Sequence, residues 1–284
     1  MEKNRNQRVL LSVLSHPDDE SFGMGGTLAK YAEEGTDVYL ICATRGEAGE
    51  VDPEFLEGHS SIGQLRETEL RCAVEKLGIK DVHLLGYRDS GMSGSVDNKN
   101  PEALINAPED QVAKEIAEYI RRIKPQVVLT FNPIGGYRHP DHIFIHQATN
   151  KAFYLAGDPA FKSSSPPYNP EKLYYHTIPR QFIRFYVRIL RLLGKDPRRV
   201  GKNKDIDLTQ LAGEDFPIHA RINYSAVKKK KDTAAACHAS QGGEGLTRGS
   251  IRWLILLLRV KPEDQFMQAV PKPDHDASET DLFY

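Results

Sequence analysis

Short apolar runs alternate with segments of helical spacing over the first 155 residues. Val9 to Leu14 is a run of branched and aliphatic residues with only Ser12 polar, which predicts a buried strand. Val38 to Ala43, Val82 to Leu85 and Val127 to Phe131 repeat that signature. Between them, Thr27 to Glu34, Ile62 to Leu77, Gln111 to Ile123 and Pro140 to Leu155 carry helical spacing. Gly35 and Gly78 close the first two of these helices, and Pro125 follows the third. Strands that alternate with helices predict an α/β fold, a mainly parallel Rossmann-like sheet with helices on both faces. Right-handed crossovers bring the carboxyl ends of such strands to one edge. Arg45 to Ser61 is polar and contains glycine, a long loop of the kind that usually has a job.

Beyond Gly157 the pattern loosens. Ser163 to Pro167 reads as a break, Leu173 to Ile178 as a strand, Arg180 to Leu193 as a basic helix and Ala226 to His238 as a helix. The expected organisation is a metal-binding core over 1–157. An extension over 158–284 would then complete the sheet and cover the active site.

Composition changes this picture little. The chain has 284 residues, 39% hydrophobic and 27% charged, so a packed core is expected rather than disorder. The formal net charge of −1 gives no global field that would point to nucleic acid. Cys42, Cys72 and Cys237 are scattered and form no Cys-x-x-Cys pair, which suggests neither a thiolate metal site nor a disulfide framework. The polar stretch from Met1 to Arg8 does not read as a signal peptide. The longest apolar run, Trp253 to Leu258, is far short of the roughly 20 residues a membrane span needs. The expectation is a soluble protein of a reducing compartment, the cytoplasm.

The chemistry concentrates at two strand ends. Ser15-His16-Pro17-Asp18-Asp19-Glu20 follows the first strand and Tyr137-Arg138-His139-Pro140-Asp141-His142 follows the fourth. Catalytic zinc takes nitrogen and oxygen ligands, commonly three from protein. His16 and Asp19 on one turn, with His142 from the other strand end, can supply them. Asp18 is placed to take a proton from metal-activated water, and His139 to reach the same centre from outside the ligand set. Two other readings stay open. A two-metal phosphoesterase would need more carboxylates than this one set of three. A nucleotide-binding turn at Gly23 to Gly26 has Leu28 where a third spaced glycine belongs, and it leaves His16 and Asp19 unexplained.

The two motifs, with Gly25-Gly26-Thr27 between them, resemble the LmbE-like (PIG-L) family of zinc-dependent N-deacetylases, which act on N-acetylglucosamine-containing substrates. The likeness runs from Val9 to His146, with echoes at His238 to Gln241. It implies one Zn2+ per chain held by His16, Asp19 and His142, with Asp18 as general base and His139 assisting. Gly46 to Val51 looks like a loop of the mycothiol branch. Arg66 and Asp89 match family residues that hold substrate, and Tyr137 matches a tyrosine that stabilises the tetrahedral intermediate. The implied reaction frees acetate from a small N-acetylglucosaminide, such as an inositol or malate glycoside. A thiol S-conjugate amidase of the same family would share the same metal set. Arg66 also has an ordinary reading, a surface pair with Glu67 or Glu69, and Tyr137 another as packing.

Phe182, Phe185, Tyr186, Ile189, Leu190 and Leu193 recur at helical spacing, with arginines largely off that stripe and Lys195, Arg198, Arg199, Lys202 and Lys204 beyond. A basic amphipathic helix suits peripheral contact with an anionic membrane. Packing on the domain, or on a second subunit in a homo-oligomer, is the favoured reading.

Overall fold

In chain order, the elements are β1 (Val9–Leu14), α1 (Asp19–Phe22), α2 (Gly25–Glu33), β2 (Asp37–Thr44), α3 (Ile62–Leu77), β3 (Asp81–Tyr87), α4 (Glu109–Ile123) and β4 (Val127–Phe131). There follow α5 (Gly135–Arg138), α6 (Pro140–Leu155), β5 (Lys172–Thr177), α7 (Arg180–Leu192), α8 (Leu208–Leu211), β6 (Ala220–Asn223), α9 (Lys228–Cys237) and β7 (Glu263–Val270). They come from a computed structural model that describes residues 7–178, 180–200, 207–211, 213–243, 261–273 and 278–284. Lys202, Lys204 and the run Trp253 to Leu258 lie outside the described residues.

Among the described residues, seven strands form one sheet in the order β3-β2-β1-β4-β5-β7-β6. β1 pairs in parallel with both β2 and β4, β2 with β3, and β4 with β5. The last two strands are antiparallel: β7 runs against β5, and β6 against β7. The expected α/β class therefore holds, with an antiparallel edge added to the parallel sheet. β1 and β4 are buried at every position, as strands covered on both faces must be. α2, α3 and α9 pack together, and α4 packs on α6. The connections from β1 to β2 and from β2 to β3 run one way across the sheet, and those from β3 to β4 and β4 to β5 run the other. Right-handed crossovers consequently place the two helix groups on opposite faces.

From β1 the chain steps outward to β2 and β3 on one side, then crosses back to β4 on the other side of β1. The carboxyl ends of β1 and β4 therefore flank the point where strand order reverses, the usual crevice of an open α/β sheet. The two His-Pro-Asp motifs sit there.

Two expectations need correction. Cys72 in α3 and Cys237 at the end of α9 form a disulfide across a separation of 165 residues. Scattered spacing concealed it, because α3 and α9 become neighbours only in the fold. In α7 the buried line is Ile183, Val187 and Leu190, whereas Leu193 is exposed. Ile183 and Val187, both off the predicted stripe, pack with Leu211, Leu208, Ile134 and Tyr137, so the surface that α7 meets selects which side faces inward. Among the described residues no helix is long and apolar enough to cross a membrane.

Candidate metal centre and active site

Both motif loops are shaped by backbone constraints. After β1 the chain turns at Asp18, whose φ of 117° is sparsely populated for a residue with a Cβ. Its carbonyl then accepts from the N–H groups of Ser21 and Phe22 and starts α1. After β4, the Asn132 side chain accepts from the N–H groups of Ile134 and Gly136. Gly135 has φ +65°, and a Cβ there would lie 2.8 Å from the Cβ of His142, so only glycine lets the loop lie this close to the pocket. His139 caps α6: its Nδ1 accepts from the Asp141 N–H, with Pro140 at the first helical position. Asp141 and His142 occupy the first turn.

Three of the expected residues converge. His16 Nδ1 lies 3.1 Å from His142 Nε2. The Asp19 carboxylate stands 3.6 Å from the former and 3.3 Å from the latter. Tetrahedral ligands bonded to one ion at about 2.0–2.1 Å sit about 3.3 Å from one another, so this spacing suits a small divalent cation. Ring nitrogens of His16, His139 and His142 all fall within 4.8 Å of one another, as do ligand atoms of His16, Asp89, His139 and Asp141. The cluster can hold a metal ion, and its imidazole and carboxylate donors match the borderline character of zinc.

The surroundings fix these donors. His16 points its other nitrogen at Asp141 Oδ2, 3.0 Å away, and lies 3.4 Å from Asp89 Oδ1. Asp141 Oδ2 also accepts from the Ser90 N–H, and Asp89 Oδ1 from the Gly91 N–H. A carboxylate behind a ligating imidazole fixes its tautomer and ring angle. The sequence reading gave Asp141 no role, although it stands between the two histidines of its motif. The available signal was its place in the first turn of α6, which turns it into the pocket with His142.

Arg66 is almost fully buried and does not pair with Glu67 or Glu69. Its guanidinium donates to Asp18 Oδ2 at 2.9 Å and to the carbonyls of Pro17 and Gly46. A Cβ on Gly46 would sit 1.9 Å from Arg66 Nη1, so this glycine makes room for the arginine. Asp89 is also buried, and its N–H donates to Glu47 Oε2 at 3.1 Å. Tyr137 is half-buried, its ring 4.9 Å from that of His142 and 5.9 Å from that of His139. All eight expected site residues thus lie around one crevice.

Protonation in the metal-free pocket follows from burial and neighbours. Burial pushes the Asp19 carboxyl up to about 7 against the pull of His16, and raises Asp18 against the pull of Arg66. Burial acts against charge on His16, but Asp89, Asp141 and Asp19 together raise it well above the usual imidazole range. Burial, then His16, lowers His139 to about 3, and burial, then His139 and His16, puts His142 well below the usual range. Burial, with Asp19 and Asp18 near, keeps the Tyr137 phenol protonated far above neutrality. The metal-free crevice therefore holds neutral imidazoles at His139 and His142, a protonated one at His16 whose proton a bound cation would displace, a carboxyl gripped by a guanidinium at Asp18, and a neutral phenol as a hydrogen-bond donor.

Residues 11–153 match the family model described as PIG-L, GlcNAc-PI de-N-acetylase. The chain is 36% identical over 289 residues to the 1D-myo-inositol 2-acetamido-2-deoxy-alpha-D-glucopyranoside deacetylase of Thermobifida fusca, covering 98% of this chain and 99% of that one. Among solved structures it resembles the N,N'-diacetylchitobiose deacetylase of Pyrococcus horikoshii at 19% identity and a TM-score of 0.64, covering 96% and 89% of the two chains. It also resembles GalB, the 4-carboxy-2-hydroxymuconate hydratase of Pseudomonas putida, at 18% identity and a TM-score of 0.61, covering 95% and 99%. A deacetylase and a hydratase on one scaffold show that the fold alone does not choose the reaction.

Proposed function

The chain belongs to the PIG-L family of de-N-acetylases, and from that premise we propose that it hydrolyses the acetamide of a small N-acetylglucosaminide, releasing acetate and a free amine, with one Zn2+ at His16, Asp19 and His142. The observation that carries this reading is the donor set, spaced 3.1–3.6 Å, beside the part-buried Asp18 carboxylate gripped by the buried Arg66, at the reversal point of the sheet. When bound, the ion supplies Lewis acidity, polarising the acetyl carbonyl and lowering the pKa of water. Asp18 takes the proton of the attacking water, its carboxylate aimed by Arg66. The neutral Tyr137 hydroxyl, with His139, donates to the oxyanion that develops on the carbonyl. Asp18 then returns its proton to the leaving amine. Asp89, beside His16 and Glu47, is placed to accept from sugar hydroxyls.

The near full-length likeness to an inositol glycoside deacetylase makes N-acetylglucosaminyl inositol the first substrate to try. Acetate release is to be measured for that compound, N-acetylglucosaminyl malate and N,N'-diacetylchitobiose, and free-amine release for a thiol S-conjugate amide, with bound metal quantified in the same preparation. The expected result is one zinc per chain and the fastest turnover on an N-acetylglucosaminide. A zinc-loaded protein that releases acetate from none of the glycosides would overturn the reading.

A further inference from the structure

Asp18 is the proposed base, yet its backbone conformation is one its own sequence does not favour. Something must hold φ at 117°. The holding group is Glu20, whose Oε2 accepts from the Asp18 N–H at 3.0 Å. Glu20 is itself buried, and its other oxygen, Oε1, accepts from the Ser21 hydroxyl and from His238 Nε2 at 2.7 Å. His238 is fully buried and comes from 218 residues further along the chain, at the end of α9. A hydrogen-bonded carboxylate–imidazole pair buried this deeply is a poor device for packing alone, since apolar side chains of like volume would do as well. It is a good device for fixing the orientation of a carboxylate.

The segment that carries His238 is itself anchored from both sides. Cys237 is bonded to Cys72 of α3, and Ser240 donates through its N–H and its hydroxyl to the two oxygens of Glu69, also in α3. α3 also carries Arg66, which grips the Asp18 carboxylate. Asp18 is thus held twice from one rigid body: at its side chain by Arg66, and at its N–H by Glu20 backed by His238.

We propose that His238 is a positioning residue for the deacetylation, acting through Glu20 to fix the backbone of Asp18; this rests on the reading of Asp18 as the base. The contact uses Nε2, so the test compares His238→Ala, His238→Gln, whose amide reaches the Nε2 position, and His238→Asn, whose amide reaches only as far as Nδ1. Each variant is assayed as the zinc-loaded full chain on N-acetylglucosaminyl inositol. Zinc content and hydrogen exchange of the Asp18 amide are followed alongside. In His238→Ala and His238→Asn, kcat should fall at least ~10-fold with KM within about twofold, the signature of a displaced base. Zinc stays bound, and the Asp18 amide exchanges faster than in wild type. His238→Gln should recover most of kcat and the slow exchange.

Equal losses in the Gln and Asn variants would mean a packing role only and would overturn the proposal, as would an unchanged kcat in His238→Ala. Should the Ala variant not fold, the Gln and Asn pair decides. If even wild-type protein releases no acetate, the deacetylase reading fails by itself. The exchange arm then still judges His238: an Asp18 amide equally protected in the Asn variant and wild type refutes the positioning claim.

Discussion

His16, Asp19 and His142 are worth separating from Asp18 by experiment, because the geometry gives them different tasks within a few ångströms. Asp18→Asn keeps the shape and the partner Arg66 but cannot accept a proton. It should retain zinc and lose ~10²–10⁴-fold in turnover. Near-normal turnover in a zinc-loaded Asp18→Asn protein would remove Asp18 from the mechanism. His16→Ala, Asp19→Ala and His142→Ala should each lower zinc content in elemental analysis, and full retention by any one would redraw the ligand set. Arg66 belongs with Asp18. Its fork spans Asp18 Oδ2 and the carbonyls of Pro17 and Gly46, which a lysine cannot reproduce. Arg66→Lys should therefore depress kcat more than it raises KM; the reverse, a pure KM effect, would return Arg66 to direct substrate binding. These residues were legible in the sequence because each motif is contiguous and follows a strand. Asp141 and the Glu20–His238 pair were not, since their roles arise from contacts 125 and 218 residues apart that no local pattern records.

At the scale of elements, the parallel strands and their helices were readable because both faces of the sheet are covered, which leaves uninterrupted apolar runs and clean helical spacing. β6 and β7 were not. β6 has four residues, and β7 mixes Glu263, Asp264, Gln265 and Gln268 into its run, so neither carries a buried-strand signature. α7 was readable as a helix but not in its orientation. Because Ile183 and Val187 share a small core with Tyr137, that helix buttresses the proposed oxyanion donor. Val187→Ala deletes two buried carbons and should lower stability by about 1.5–3 kcal/mol, and reduce kcat with zinc content unchanged. Loss of stability with kcat intact would detach α7 from the site. Ile183 and Val187 lie off the predicted stripe, of which Leu190 is buried and Leu193 exposed, so the membrane reading needs its own test: if α7 serves packing alone, the protein stays in the supernatant with anionic vesicles at low salt, and co-sedimentation would favour the membrane contact. β5 offers a pH test away from the metal. Burial lowers His176 to about 4, while an unfolded histidine titrates near ~6.5. Between those values the unfolded chain binds the extra proton, so this contribution is complete above the higher pH and is lost progressively as pH falls toward the lower. His176→Gln should flatten the fall of melting temperature across that window, and an unchanged slope would show that other groups set it.

For the whole molecule, the notable feature is how the C-terminal part is bound to the first half of the chain. β5, β7 and β6 extend the sheet from β4, and Asp264 in β7 accepts from both the N–H and the hydroxyl of Thr27 at the start of α2. Lys231 in α9 bridges Asp264 and the carbonyl of Gly23. These contacts converge on the segment between the first motif and α2, so the late elements clamp the loop that carries His16 to Glu20. The Cys72–Cys237 disulfide is the covalent part of that clamp. Closing a loop of this length removes unfolded-state entropy worth up to about 5 kcal/mol in the chain-entropy model, and measured effects run about 2–4 kcal/mol. Cys72→Ala, Cys237→Ala and the reduced wild type should therefore melt well below the oxidised protein and resemble one another. The charge contacts of α9 and the Ser240–Glu69 bonds do not depend on the sulfur atoms, so at a temperature where all forms are folded the reduced protein should keep its zinc and most of its kcat. Matching melting temperatures for oxidised and reduced protein would show that the bond adds nothing to the clamp. A reduced protein that stays folded and zinc-loaded but loses turnover would show instead that the placement of Asp18 depends on the covalent tie as well as on His238.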